Sequence, residues 1–222
     1  LEIDPDERAA LNNLALRYAA ARRYAEAEEL LRRAMAQGGA VVNYTNAIGI
    51  QVAQGKFAAA ETTLARFSER MPASPQVWAM RSALSATQGD SVTAEAALDS
   101  LGRRERSPLW RANIHNVRAD GALVRGKLAE SERQRREAMA ANEARDAPGA
   151  YLGGVLNLAR IDLDLRENPQ EALKEVEAAL RRHPLSGMSA PDRPYPGLAD
   201  FYADAGRVDL ARRMMAEYER EV

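Results

Sequence analysis

Between Leu11 and Met35 the chain reads LNNLALRYAAARRYAEAEELLRRAM, which sets two groups of apolar residues at helical spacing on either side of a short break. Leu11, Leu14, Ala15 and Tyr18 form the first group; Tyr24, Ala27, Leu31 and Ala34 form the second. Two short helices patterned this way close as a hairpin with one apolar face each. The same spacing returns about 34 residues later, and again after that. A repeated hairpin cannot bury its apolar face alone. It must stack on copies of itself, and stacking builds an extended surface rather than a closed catalytic pocket.

Aligned on this hairpin, the chain reads as a single repeat domain over 1–222 with six units, at 8–40, 41–74, 75–107, 108–145, 149–186 and 192–222. In the second unit Tyr44, Ala47, Ile48, Gly55, Phe57, Ala60, Leu64 and Phe67 follow the pattern and Pro72 closes it. Trp78, Ser82, Gly89, Ala94, Leu98 and Leu101 follow it in the third. The fourth aligns through Ala119, Gly126, Leu128, Ala138 and Met139, with Arg118 and Arg135 standing where apolar residues belong. Leu156, Ala159, Leu163, Ala172, Val176, Ala179, Leu180 and Pro184 mark the fifth, and Leu198, Ala199, Tyr202, Gly206, Val208, Ala211, Met215 and Tyr218 the sixth. Gly55, Gly89, Gly126 and Gly206 fall where each hairpin turns. Ser74-Pro75, Ser107-Pro108 and Asn168-Pro169 read as N-caps followed by Pro at the first helical position, with Glu171 completing a capping box. Residues 143–150 and 184–196 are the two longest breaks, and the second contains four prolines.

This pattern resembles the tetratricopeptide repeat family, whose unit carries a large residue, Leu-Gly/Ala, Tyr, Gly, an aromatic, Ala, a large residue, Ala and then Pro. The first unit matches nearly all of it, with Arg22 where Gly is usual. Its Leu-Asn-Asn-Leu-Ala start is similar to the variety found in kinesin light chains and many bacterial repeat proteins. The resemblance implies an all-α, right-handed α-solenoid in which the first helix of each hairpin lines a concave groove and the second builds the convex back.

Helical periodicity assigns Leu11, Leu14, Ala15 and Tyr18 to the core and the neighbouring stripe to the groove. That stripe supplies the candidate ligand residues Asn12, Asn13, Leu16, Thr45, Asn46, Gln76, Met80, Asn113, Asn116 and Asn157. Asparagine is a mediocre helix former, so helix propensity does not account for its recurrence. Its amide carries donors and an acceptor and can pair with the backbone of an extended peptide whatever that peptide's side chains. Related repeat proteins use groove asparagine in this way. The carboxylate clamp of chaperone-binding relatives needs Lys and Arg on the first helices of units one and three beside two Asn. Here Asn12, Leu16, Asn46, Gln76 and Met80 occupy the corresponding positions, and only Asn46 fits.

Composition excludes more than it includes. Hydrophobic residues are 46% but aromatics only 5%, so the core is Ala- and Leu-rich helix-on-helix packing. With 31 Lys+Arg against 32 Asp+Glu there is no global pull toward nucleic acid or anionic lipid, and no apolar run spans a membrane. The absence of cysteine removes disulfides, thiolate metal sites and a Cys nucleophile. It fits a cytoplasmic setting, and a periplasmic one as well. The chain opens on Leu1 with no signal-peptide pattern, which reads as a piece excised from a longer protein or as a processed chain.

Chemistry-bearing motifs are missing: there is no HExxH, Walker loop, GxSxG or GxGxxG. His115 and His183 lie two units apart and read as structural. Asp162/Asp164 and Asp200/Asp204 read as a solvated face or a groove wall, Gly153-Gly154 as a close helix contact, and the Arg runs 103–106 and 133–136 as charge-balanced surface without aromatic interleaving. The expectation is therefore a non-enzymatic scaffold without cofactor or metal, binding a protein or peptide in its groove. Two alternatives stand beside it. One is a regulatory or sensory segment of a larger bacterial signalling protein or transcription regulator. The other is a solenoid that self-associates through its open ends, although the charged tail helix from Val208 suits a solubilising cap.

Overall fold

The computed structural model describes residues 7–221. The expected starting residue Leu1 and the end of the sixth unit at Val222 lie outside them. The described residues fold into twelve α-helices: α1 (Arg8–Ala20), α2 (Tyr24–Ala36), α3 (Val41–Ala53), α4 (Phe57–Arg70), α5 (Pro75–Thr87), α6 (Ser91–Arg104), α7 (Pro108–Val124), α8 (Leu128–Glu143), α9 (Pro148–Arg160), α10 (Pro169–Arg182), α11 (Tyr195–Asp204) and α12 (Val208–Glu221). They pack in consecutive pairs, six hairpins of the helical-repeat solenoid class.

The turns follow one rule. In hairpins one to four and six, the second residue past the first helix's cap returns its N–H to a carbonyl five residues back: Arg23 to Tyr18, Lys56 to Gln51, Asp90 to Ser85, Lys127 to Ala122 and Arg207 to Tyr202, at 2.7–2.9 Å. This Schellman closure puts one residue in the left-handed region. Gly55, Gly89, Gly126 and Gly206 supply it at φ from 70° to 81°, and Arg22 does so at φ 58° despite its side chain. Hairpin five differs: α9 unwinds into a π-turn over Ile161–Leu165, Asn168 N–H bonds Asp162 O at 2.9 Å, and Glu167 takes φ 52°.

The helix caps depart in part from the sequence reading. Ser107 and Asn168 accept from Trp110 N–H and Glu171 N–H as N-caps should. Ser74 does not: its hydroxyl donates to Gln76 Oε1 at 2.8 Å. Glu171 reaches Lys174 at 3.1 Å, one turn along its own helix.

The chain divides into two compact units, one running to Glu105 and the other beginning at Arg106. In the first, Ala47 and Ile50 of α3 complete the core of hairpin one with Leu11, Ala15, Leu30 and Leu31. Tyr44 and Phe67 stack with centroids 5.1 Å apart and planes 9° from parallel, and α5 adds Val77 and Leu84 to the same cluster. Leu14, expected in the core, is instead 43% exposed. Its register equivalent Ala47 is buried because α3 packs back onto hairpin one; among the described residues no element does this for α1.

The second unit gathers Leu152, Val155, Val176, Leu198, Phe201 and Tyr202 from α9, α10 and α11. The Pro-rich break is ordered here into two single 3₁₀ turns, Leu185–Gly187 and Ala190–Asp192. Met188 between them is 5% exposed in the core, and Arg193 holds Met188 O at 2.9 Å while also pairing with Glu221 at the end of α12. The segment is a strap fastened at both ends.

Candidate functional site

The asparagines of α1 and α3 meet at the seam between hairpins one and two. Asn12 Oδ1 accepts from Asn46 Nδ2 at 2.9 Å and from Asn43 Nδ2 at 3.2 Å. Asn43 is 1% exposed, and its own Oδ1 accepts from Ala40 N–H at 2.7 Å, capping α3. One side chain thus ends a helix and ties it to the preceding hairpin. Asn43 was not among the sequence candidates. The available signal was the offset: Asn12 and Asn46 stand 34 residues apart, within one residue of the repeat spacing, which places them on neighbouring first helices.

Around this cluster lies a cavity of about 480 Å³, lined by Glu7, Arg8, Ala9, Asn12 and Asn13 on the α1 side and by Ala40, Val42 and Asn43 on the α3 side. Two of these residues, Asn12 and Asn13, are groove candidates from the sequence. Asn12 is only 7% exposed, so its carbonyl serves the seam and not a ligand. Asn13 and Leu16 are exposed, Leu16 at 42%. Thr45 bonds Val42 O at 3.1 Å, and Asn46 stays half-buried with its donor on Asn12. Gln76 is tied to Ser74, and Met80 packs against the Tyr44–Phe67 cluster. Asn113 and Asn157 are exposed on α7 and α9 of the second unit, while Asn116 accepts from Arg135 Nη1 at 3.4 Å.

The fourth hairpin has a polar interior. Arg135, on α8 at the position held by Leu31, Leu64 and Leu98 in the first three hairpins, is 6% exposed and ion-paired with Asp120 of α7. Its Nε and the hydroxyl of Ser131, one turn earlier, have no hydrogen-bond partner among the described residues. His115 Nδ1 lies 2.7 Å from Gln134 Oε1, and His183 Nε2 lies 2.5 Å from Glu143 Oε1. Both histidines therefore serve packing. Asp162 is not a solvated residue as its sequence context suggests; it is 8% exposed in the π-turn and holds Arg166 at 2.6 Å. Gly154 makes the close contact expected of the Gly153-Gly154 pair, since a Cβ there would stand 2.5 Å from Met139 Cγ.

Two carboxyls are displaced in opposite senses. Burial raises Glu28, but Lys56 at 2.7 Å and Gln54 at 2.6 Å outweigh it and hold the carboxyl below its usual range. Glu175 is pushed up by burial and by the neighbouring charge of Asp162, against a smaller opposing pull from Arg136. Among the described residues no three His, Cys, Asp or Glu side chains gather to hold a metal ion. None of the described helices is long and apolar enough to cross a membrane.

A tetratricopeptide repeat model matches residues 18–84. A crystal structure of a tetratricopeptide repeat protein from Parabacteroides merdae is similar at a TM-score of 0.48 and 18% identity, covering 96% of this chain and 79% of that one. No curated protein matches the chain. The repeat match runs from Tyr18 in α1 to Leu84 in α5, and the same paired-helix arrangement recurs as far as α12.

Proposed function

We propose that the chain is a protein-interaction scaffold that takes a peptide or protein segment on the first-helix face of its hairpins, anchored at the α1/α3 seam. Tetratricopeptide repeats are in general protein-binding modules and typically not enzymes. The observation that carries the reading is the 480 Å³ cavity beside a fixed amide cluster. Asn12 and Asn43 are spent on the seam, which makes the surface rigid. Asn13 lines the open side, and Leu16 and Val42 add exposed aliphatic surface. Rigid polar groups beside an apolar shoulder suit an extended segment whose backbone is held while one side chain is buried.

The test is a random-peptide display selection against the full chain, followed by amide-shift mapping of a selected peptide. Shifts should cluster on Ala9, Asn13, Leu16, Val42, Thr45 and Asn46, and Asn13→Ala with Leu16→Ala should remove binding while leaving the thermal melt unchanged. Shifts confined to the second helices of the hairpins would sink the reading. The proposal also sets the scaffold in the cytoplasm; recovery in a periplasmic extract contradicts that part alone.

Self-association is a second reading with its own support. Met215 and Tyr218 of α12 are 39% and 36% exposed, whereas their register equivalents Leu31, Leu64, Val176 and Ala34, Phe67, Ala179 are buried under the following helix. Light scattering across a hundredfold concentration range decides it: a constant monomer mass eliminates this reading.

A further inference from the structure

We propose that the second unit carries a ligand site of its own: a slot over α9 that takes a small organic acid with an aliphatic or aromatic body, its carboxylate on Arg182. The slot encloses about 400 Å³, within the usual range of roughly 300–1,000 Å³ for small-molecule pockets. Val155 and Leu158 of α9 form its floor, Met139 of α8 one wall, and Ala178 and Ala179 of α10 the other. The alanines keep the α10 wall low. On the opposite side, the missing side chain of Gly154 lets Met139 pack down against α9.

Charge selects the occupant. Arg182 stands at the mouth with its guanidinium 5.6 Å from the Tyr151 ring centroid. It bonds Glu143 through Nη2, and that carboxylate is shared with His183. Nε and Nη1 of Arg182 are engaged by no described residue, so guanidinium donors remain for a carboxylate. Arg136 on the far wall reaches Glu132 only at 3.7 Å, because Arg166 holds that carboxylate more closely. The acid lining the slot is Glu175, half-buried and in no salt bridge among the described residues, and burial already favours its neutral form. Two guanidiniums against one carboxylate in the lining itself favour an anionic occupant. The apolar floor asks that the anion carry a hydrophobic body. The size of the slot, closed on three sides by α8, α9 and α10, favours a small molecule over a chain segment.

The site lies wholly in the second unit, apart from the α1/α3 seam, so its test is independent of the scaffold reading. Titrating the full chain with 4-phenylbutyrate by calorimetry, with methyl-resonance mapping, should give saturable binding with shifts at Met139, Val155 and Leu158. The matched amine, 4-phenylbutylamine, should not bind. Arg182→Gln should weaken the acid roughly tenfold, the usual effect of losing one charged pairing. Ala178→Leu, at an exposed position that leaves the fold intact, should fill the slot and abolish binding. Glu175→Gln should tighten it severalfold. Equal affinity for the amine overturns the proposal, as does binding indifferent to both Arg182→Gln and Ala178→Leu. Tighter capture of a peptide ending in Phe, with shifts spreading beyond the slot, overturns the small-acid assignment in favour of a chain terminus.

Discussion

In α4 the face turned to the core is Ala60, Thr63, Leu64 and Phe67; in α8 the same register positions are Ser131, Gln134, Arg135 and Ala138. Leu64 is 3% exposed and Arg135 6%, so the repeat imposes the same burial on opposite chemistry. Position in the hairpin decides what is buried, and each hairpin must then satisfy its own contents. Hairpin two does so with the Tyr44–Phe67 stack. Hairpin four instead uses polar side chains: Arg135 reaches Asp120 and Asn116, and Gln134 reaches His115. It still leaves Arg135 Nε and the Ser131 hydroxyl without a hydrogen-bond partner among the described residues, each at a cost of about 1–3 kcal/mol. Extra length offsets this. Helices α7 and α8 run 17 and 16 residues, against 13 and 14 for α3 and α4, and the added turns bury further surface such as Ala141 and Asn142.

The comparison breaks most sharply by exchange. Leu64→Arg places a guanidinium where no acid waits, and it should destabilise the chain by about 4 kcal/mol or more, read as a fall in the urea midpoint. Arg135→Leu removes a buried charge whose partner Asp120 is largely solvated, and should change stability by about 1 kcal/mol or less in either direction. If Arg135→Leu costs as much as Leu64→Arg, hairpin four depends on its ion pair and the contrast drawn above fails. Between these extremes lies Asn43→Ala. It removes the α3 cap and one bond of the seam together, for a loss of about 1–2 kcal/mol, visible as faster hydrogen exchange in the first turn of α3.

How much of this was readable beforehand follows the same division. Leu31, Leu64, Phe67 and Val176 announced the hairpins because an apolar residue at a repeated helical position has one place to go. The turn glycines did likewise, since a Schellman closure demands a left-handed residue. Arg135 could be flagged as a misfit in its register, but the remedy through Asp120 and Asn116 depends on reach across α7 rather than on spacing. Asp162 looked solvated because a π-turn leaves no trace in periodicity. At the seam, Asn12 and Asn46 were identified, but Asn12 is buried with its carbonyl on Asn43 and Asn46 rather than open to a ligand. An amide is equally suited to a groove and to a buried cluster, and only the partner across the seam decides between them. Leu14 failed for the related reason that helix periodicity fixes a face, whereas burial needs something to cover it.

The two units also differ in how their displaced carboxyls respond to pH. Glu175 of the second unit sits above its ordinary value, so the folded state holds its proton more tightly than the unfolded chain. Its favourable contribution is complete below the ordinary carboxyl range and is lost as pH rises through the folded value. Glu28 of the first unit is the reverse: held low beside Lys56, it stabilises above the ordinary range and loses that contribution as pH falls through its folded value. Glu175→Gln and Glu28→Gln should therefore shift the stability curve against pH with opposite slopes in the mildly acid region. Parallel shifts from urea titrations at stepped pH would remove this difference between the units.

The smallest effect tests the turn rule that hairpins two, three, four and six share. Arg22 takes φ 58° at the position where Gly55, Gly89, Gly126 and Gly206 stand, and its side chain is exposed. A left-handed non-glycine residue carries about 1–2 kcal/mol of steric cost, while glycine there adds backbone entropy to the unfolded chain worth about 0.5–1 kcal/mol. The difference predicts that Arg22→Gly stabilises by up to about 1 kcal/mol, a rise of a few degrees or less in Tm. The reciprocal change, Gly55→Arg, should lower Tm by a comparable amount, because a Cβ at Gly55 meets nothing within 4 Å and only the backbone strain is added. If Arg22→Gly destabilises, the arginine side chain contributes something at that turn that outweighs its strain. Hairpin one would then differ from the others in substance rather than only in its turn residue.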